Sequence, residues 1–292
     1  MRSFVTSLVL FSALGLATPI YDHHHGGESS KQQRPIVIEE GNILPPPPAH
    51  GHGEPGHGGH GQPDFSGSGM PDWPTTHLLA RRLLAYSTTG VLSTVFPENS
   101  RDNALAGVPI GLPDYIADCS ADGGVAADLV GNGNPLILAL NIGTTFRNTN
   151  SGSNISLSVD WWSRRHHSTR RALTGDMDRD LDNSLAALPR LSLSGHLEEI
   201  PAASLSDADR KALEKCFLKA HPDAVYWLPA HDGSAHRGYW ARLVVDKALW
   251  IGGFGDRARI GWLDIDVWKT LTKTGEDGKK GWGDVKLPGE HF

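Results

Sequence analysis

Asn154-Ile155-Ser156-Leu157-Ser158-Val159-Asp160-Trp161-Trp162 alternates between apolar and small or polar residues as far as Trp161. Successive side chains on a strand point to opposite faces. Ile155, Leu157, Val159 and Trp161 therefore share one face, and Ser156, Ser158 and Asp160 the other. Such a pattern predicts a strand buried on one side only. Downstream, Arg190-Leu191-Ser192-Leu193-Ser194-Gly195-His196-Leu197-Glu198-Glu199-Ile200 alternates as well, with Gly195 in the place of a bulge. Residues 238–245 and 248–254 read as a hairpin turning at Asp246-Lys247. Upstream, the apolar run Pro135-Leu136-Ile137-Leu138-Ala139-Leu140 reads as a central strand. Residues 108–116 contain Pro109 and Pro113, which confines them to an edge or bulged strand. Val91-Leu92-Ser93-Thr94-Val95-Phe96 is a short strand ending at Pro97.

Helices interrupt these strands. Thr76 is placed to cap a helix opening at His77, with Leu79, Leu83 and Leu84 on one face and Arg81 and Arg82 off it. Ser206-Asp207-Ala208-Asp209 opens a second, its acidic residues suited to the positive end of the dipole, and Pro222 stops it after His221. A shorter helix covers 265–271, and the Lys-, Gly- and Asp-rich tail 272–292 is expected to fray. Many short strands with few helices and no βαβ alternation predict a mainly β chain folded as an antiparallel barrel.

The front of the chain is of another kind. Arg2, the apolar run 4–16, and small Gly15 and Ala17 before Thr18-Pro19 predict a signal peptide over 1–17, cleaved after Ala17. That run falls short of the ~20 residues that span a bilayer, and no other stretch is apolar enough. The expectation is a secreted chain without a transmembrane anchor. Residues 18–72, rich in Pro, Gly and His, bury too little apolar surface to order themselves. Their histidines could chelate a metal if several imidazoles converged, but the composition reads first as a solvated flexible linker. A net charge of −6 with mixed signs argues against nucleic acid as partner. Asn154-Ile155-Ser156 is a glycosylation acceptor in a secreted chain. Cys119 and Cys216 either pair or pack as separate buried thiols, and the sequence leaves both open.

The order of these pieces resembles the CREG family of the pyridoxamine 5'-phosphate oxidase-like, FMN-binding split barrels. His77-Leu78-Leu79-Ala80-Arg81 followed by Gly90-Val91-Leu92-Ser93-Thr94 is similar to that family's first block, and Gly107-Val108-Pro109-Ile110-Gly111 to its second strand. Leu193-Ser194-Gly195, Phe217-Leu218-Lys219-Ala220-His221-Pro222, Trp240-Ala241-Arg242-Leu243 and Ile251-Gly252-Gly253-Phe254-Gly255 are similar to later blocks. The resemblance implies a six-stranded antiparallel split barrel over 73–271 that forms a homodimer, with flavin enzymes of the superfamily holding FMN at the dimer interface. Secreted members are similar to relatives that lost the flavin, so no cofactor is expected, with FMN the alternative. If FMN binds, Ser93 and Thr94 on the first strand and Thr144, Thr145 and Arg147 after the apolar strand are the candidate ligands. Against this, phosphate recognition favours a bidentate cluster of arginines, and only one arginine stands there.

Other clusters point nowhere as sharply. Arg164-Arg165-His166-His167-Ser168-Thr169-Arg170-Arg171, in a long insertion over 163–189, reads as a solvated basic loop, a processing site or a cover for the cavity. His196, His221, His231 and His236 are scattered. No nucleophile elbow, zinc-protease or phosphate-loop motif occurs, so neither a catalytic nor a metal set is expected. The abundant tryptophans fit a core and a dimer interface. Together these readings predict a secreted glycoprotein with a non-catalytic binding or signalling role, at the cell surface or in an endolysosomal lumen, with a partner the sequence does not name. The alternative is an FMN-dependent oxidoreductase, in which the cofactor carries the redox chemistry.

Overall fold

Leu92, Leu157, Leu193 and Ala248 lie side by side across four strands, each without exposure to solvent. This row is the floor of the barrel's interior, and the rest of the fold is arranged around it. The computed structural model describes residues 70–98, 103–121, 123–162, 184–229 and 236–290. The signal peptide and its cleavage at Ala17, the His-rich segment to residue 69, the basic cluster 164–171 and His231 lie outside these residues.

The chain enters through α1 (Trp73–Tyr86) and then forms β1 (Thr89–Val95) and β2 (Pro109–Tyr115). A short α2 (Val125–Val130) precedes β3 (Leu136–Leu140), and α3 (Thr144–Asn150) leads into β4 (Ile155–Asp160). After β5 (Arg190–Glu199) come α4 (Asp207–Ala220), the long β6 (Gly238–Gly252), β7 (Arg259–Trp262) and α5 (Ile265–Thr270). The strands run antiparallel in the order β2-β1-β4-β5-β6-β3, with β7 added to β6. Ala117 and Leu136 exchange backbone hydrogen bonds of 3.0 and 2.8 Å, joining the end of the β2 side to β3. That bridge turns the open sheet into the six-stranded barrel.

The alternation in β4 is borne out: Ile155, Leu157 and Val159 are buried, while Ser158 and Asp160 are exposed and Ser156 is half-buried. Gly195 is the bulge, with a register shift between it and Ser194. A Cβ there would lie 1.8 Å from the Val244 carbonyl oxygen, so only glycine permits the approach. Proline-bearing β2 pairs along its length with β1 alone, as an edge strand must.

Four expectations need correction. Asp246-Lys247 is no turn: β6 runs unbroken through both, because the β5 bulge lets one long strand bend instead of reversing. The apolar run of β3 is not central but stands at one end of the order. Helices α2 and α4 cover it in place of a neighbouring strand, and the second core cluster, with Leu136, Leu213, Phe217 and Trp240, forms there. Helix α1 is capped by Asp72, whose Oδ1 accepts from the Thr75 N–H at 2.8 Å. Pro74 is tolerated in the first turn, where an N–H would have no intrahelical acceptor. The cap holds the Asp72 carboxyl below the usual range, first through the Thr75 side chain and then its N–H.

The fourth correction concerns the tail. Trp282, Val285 and Leu287 are buried in the main core instead of fraying. The Arg82 guanidinium donates to Glu290 through Nε at 2.8 Å and Nη2 at 2.5 Å, and through Nη1 to the carbonyls of Trp282 and Gly283. Trp161 Nε1 donates to the Pro288 carbonyl at 2.8 Å. The tail covers Arg82, 2 % exposed, while Asp118, Ser120, Asn132 and the Trp268 ring enclose Arg81, 0 % exposed, so neither faces water. Cys119 and Cys216 form a disulfide with Cα atoms 5.8 Å apart, tying the turn after β2 to α4.

Candidate functional site

The outer face of the sheet carries hydroxyls in rows. Ser93 lies opposite Ser156, which lies opposite Ser194 and then Lys247. The next row runs Val91, Ser158, Ser192, Leu249, Trp262. Both follow from one cause: Leu92, Leu157, Leu191 and Leu193 turn inward, which leaves the serines beside them outward in register. Small side chains leave the surface hollow. An open groove of about 490 Å³ lies over Ser93, Thr94, Ser156 and Ser194, with Asn154, Asp246 and Lys247 also lining it.

Five residues were expected to serve FMN, and the structure divides them. Ser93 and Thr94 line the groove, whereas Thr144, Thr145 and Arg147, on α3, do not. Thr145 is buried and Arg147 faces outward. Thr94 is buried beneath the groove, and its Oγ1 accepts from Asn148 Nδ2 at 3.1 Å. Asn148 is the contact by which α3 grips β1, and nothing in its sequence context sets it apart from its polar neighbours. Ser192, Asp246 and Lys247 also escaped notice: Asp246 and Lys247 were read as a turn, and the significance of Ser192 rests on register.

The groove's charges do not suit a dianionic phosphate. Its lining holds one ammonium, Lys247, beside one carboxylate, Asp246, and the latter also meets His196 at 3.2 Å. A phosphate is held best by guanidinium forks and several converging N–H donors. FMN, as the resemblance implies it, therefore finds hydroxyls here but no matching positive charge among the described lining residues. Asn154 is exposed at the groove, so the glycosylation acceptor opens onto the same space.

The remaining titratable groups have structural duties. His221 ends α4, stacks on Tyr115 at 4.1 Å and 8°, and meets the Ile116 carbonyl through Nε2 at 2.9 Å. The Tyr115 hydroxyl donates to Asp223 at 2.8 Å, which raises the phenol's pKa. Burial raises the Asp114 carboxyl, partly offset by the Tyr115 N–H and by His221. Among the described residues no three His, Cys, Asp or Glu side chains are placed to hold a metal. No described helix is long and apolar enough to cross a membrane.

The family comparison agrees with this architecture. The family model described as "CREG, beta-barrel" matches residues 74–270. No curated protein matches the chain. Among solved structures, a heme binding protein from Mycobacterium smegmatis is 18 % identical at a TM-score of 0.43, covering 68 % of this chain and 61 % of its own. The chain thus spans under two thirds of that protein. Campylobacter jejuni ChuZ is 11 % identical at 0.43, covering 73 % of this chain and 68 % of its own. An FAD binding protein from Mycobacterium smegmatis is 11 % identical at 0.33, covering 60 % and 94 %. Likeness at this level says nothing about a ligand of this chain.

Proposed function

We propose that this chain, which belongs to the CREG β-barrel family, is a secreted, N-glycosylated binding module that acts as a homodimer without flavin chemistry. One observation carries the reading: Asn154, the acceptor of the sequon, is exposed on the lip of the groove that Ser93 and Ser156 line. A glycan attached there would occupy the groove lined by Ser93 and Thr94, two of the hydroxyl residues expected to serve FMN. The balance of one lysine against one aspartate in the lining gives a nucleotide phosphate little to hold it. The serine rows and the apolar side chains beside them, Val91, Leu249, Ile260 and Trp262, form a broad face suited to a second copy or to a cell-surface or lumenal partner.

The visible spectrum of the purified secreted protein tests this. The expected preparation is colourless, does not take up added FMN, and loses the mass of one glycan on enzymatic deglycosylation unless Asn154→Gln has been introduced. A yellow protein that releases stoichiometric FMN on denaturation would establish the flavin-dependent oxidoreductase instead. Light scattering tests the dimer, and a strict monomer would remove that part of the proposal.

A further inference from the structure

A second hollow lies away from the serine groove. It is bounded by the end of α1, the turn after β2, the last turns of α4 and part of the tail, and it measures about 290 Å³. A single water needs about 10–15 Å³ of such space, so a molecule of several heavy atoms fits. Ala85, Ala117, Ala121 and Ala220 line it, so four of its walls stop one carbon beyond the backbone. Among the lining residues stands Cys216, one half of the disulfide to Cys119.

The two cysteines of that bond are not equivalent. Cys119 is 2 % exposed, belongs to the second core cluster with Leu136, Leu213 and Phe217, and is not among the lining residues. Cys216, on α4, is half-buried and lines the hollow. Thiol–disulfide exchange is directional: a thiolate attacks one sulfur, bonds to it and expels the other, and access helps to decide which. The carboxylate of the lining, Asp118, offers an incoming thiolate little repulsion, because it pairs with Arg81 at 3.1 Å, both side chains fully buried. Expulsion of Cys119 leaves the walls in place, since Leu213 and Phe217 keep α4 packed on β3 without the covalent tie.

We propose that Cys216 is a modification site at which small aliphatic thiols exchange with the disulfide. The thiolate of the incoming thiol, its proton already lost to water, attacks Cys216 Sγ. A new S–S bond forms there, the bond to Cys119 breaks, and the Cys119 thiolate takes a proton from water. The incoming thiol is thereby oxidised to one half of a mixed disulfide, and Cys119 is reduced to a thiol. Cys119, still held nearby by the core, attacks back and restores the original bond once the free thiol is removed, so the modification is reversible. Brief incubation of the full chain with 2-mercaptoethanol in mild base, acid quenching and peptide mass spectrometry test this. The expected early product carries the mixed disulfide on Cys216 in about tenfold excess over Cys119 while the chain is folded, and on both cysteines about equally in guanidinium. Ala220→Leu narrows the hollow and slows adduct formation about tenfold. Its melting temperature shows whether it is folded, and Ala85→Leu, on another wall, takes its place if it is not. Asn154→Gln leaves the rate and the ratio as they were, so failure of the groove reading does not touch this one. Equal adducts on the two cysteines of the folded chain, an excess on Cys119, no adduct unless the chain is unfolded, or an unchanged rate in a folded variant that narrows the hollow would each overturn the proposal.

Discussion

The groove over Ser93 and the clasp around Arg82 sit on one barrel and use polar residues in opposite ways. At the clasp, charge is buried and every contact is specific: Arg82 reaches both oxygens of Glu290 and two carbonyls, and Arg81 joins Asp118, Ser120 and Asn132 while lying 4.9 Å over the Trp268 ring. At the groove, the polar groups are hydroxyls spread in register over an open face. A buried charge without its partner is costly, whereas a surface hydroxyl turns readily to water. The two arginines of α1 are therefore committed to holding the tail and the first turns together. The difference teaches that a basic pair in the sequence marks a ligand site only if the fold leaves it facing one.

That contrast can be broken or sharpened by substitution. Arg82→Ala should act most strongly, lowering unfolding free energy in denaturant melts by about 3–5 kcal/mol, because Glu290, its side chain 9 % exposed, is left without its counter-charge. A loss below 1 kcal/mol would mean the clasp is no stronger than a surface ion pair. Replacing Cys119 and Cys216 with alanine should cost about 2–5 kcal/mol in the same melts, through the freedom restored to the unfolded chain. On the groove side, Asn148→Ala strips the buried Thr94 hydroxyl of its donor and should cost about 1–3 kcal/mol. Ser158→Ala, on the open face, should stay within about 0.5 kcal/mol of the parent. A larger destabilisation there would show that the serine rows hold the fold together.

Last comes a difference that vanishes at one end of the pH scale. Burial raises the Asp114 carboxyl above its unfolded value, so the folded chain binds more protons through that interval. Stability from this group is greatest below the ordinary aspartate range and falls as pH rises through the raised value. Asp114→Asn, which keeps an oxygen for the Tyr115 N–H, should match the parent in acid and exceed it above that interval. Thermal melts across pH check this, and a constant offset would contradict it.

Much of the barrel was legible because its strands are buried on one face only. The alternation of β4 and β5 named the inward residues one by one, and Gly195 announced its bulge. What stayed hidden depends on contacts distant in sequence. Arg82 looks solvent-facing until a tail some two hundred residues away covers it, and Arg81 until Asp118, Ser120, Asn132 and the Trp268 ring enclose it. Lys- and Gly-rich 272–281 masks the anchors Trp282, Val285 and Leu287, which show no period because that segment lies in neither helix nor strand. Asp246-Lys247 mimics a turn, since two charged residues in mid-strand look the same whether the chain reverses or only bends. Of the residues expected to serve FMN, Ser93 and Thr94 line the groove, while Thr144, Thr145 and Arg147 stand outside its lining on α3, the helix that grips β1 through Asn148. Ser156, Ser192 and Ser194 become a set only once register aligns them.

The span between Arg82 and Glu290 also sets a timetable. These partners are separated by 208 positions, so at about 5–20 residues per second the first waits roughly 10–40 s on the ribosome for the second. During that interval a guanidinium destined for the interior has only solvent or a chaperone to meet. A stretch synthesised long after α1 is thus the one that releases that helix into its final surroundings, and maturation should lag behind the synthesis of α1 instead of accompanying it.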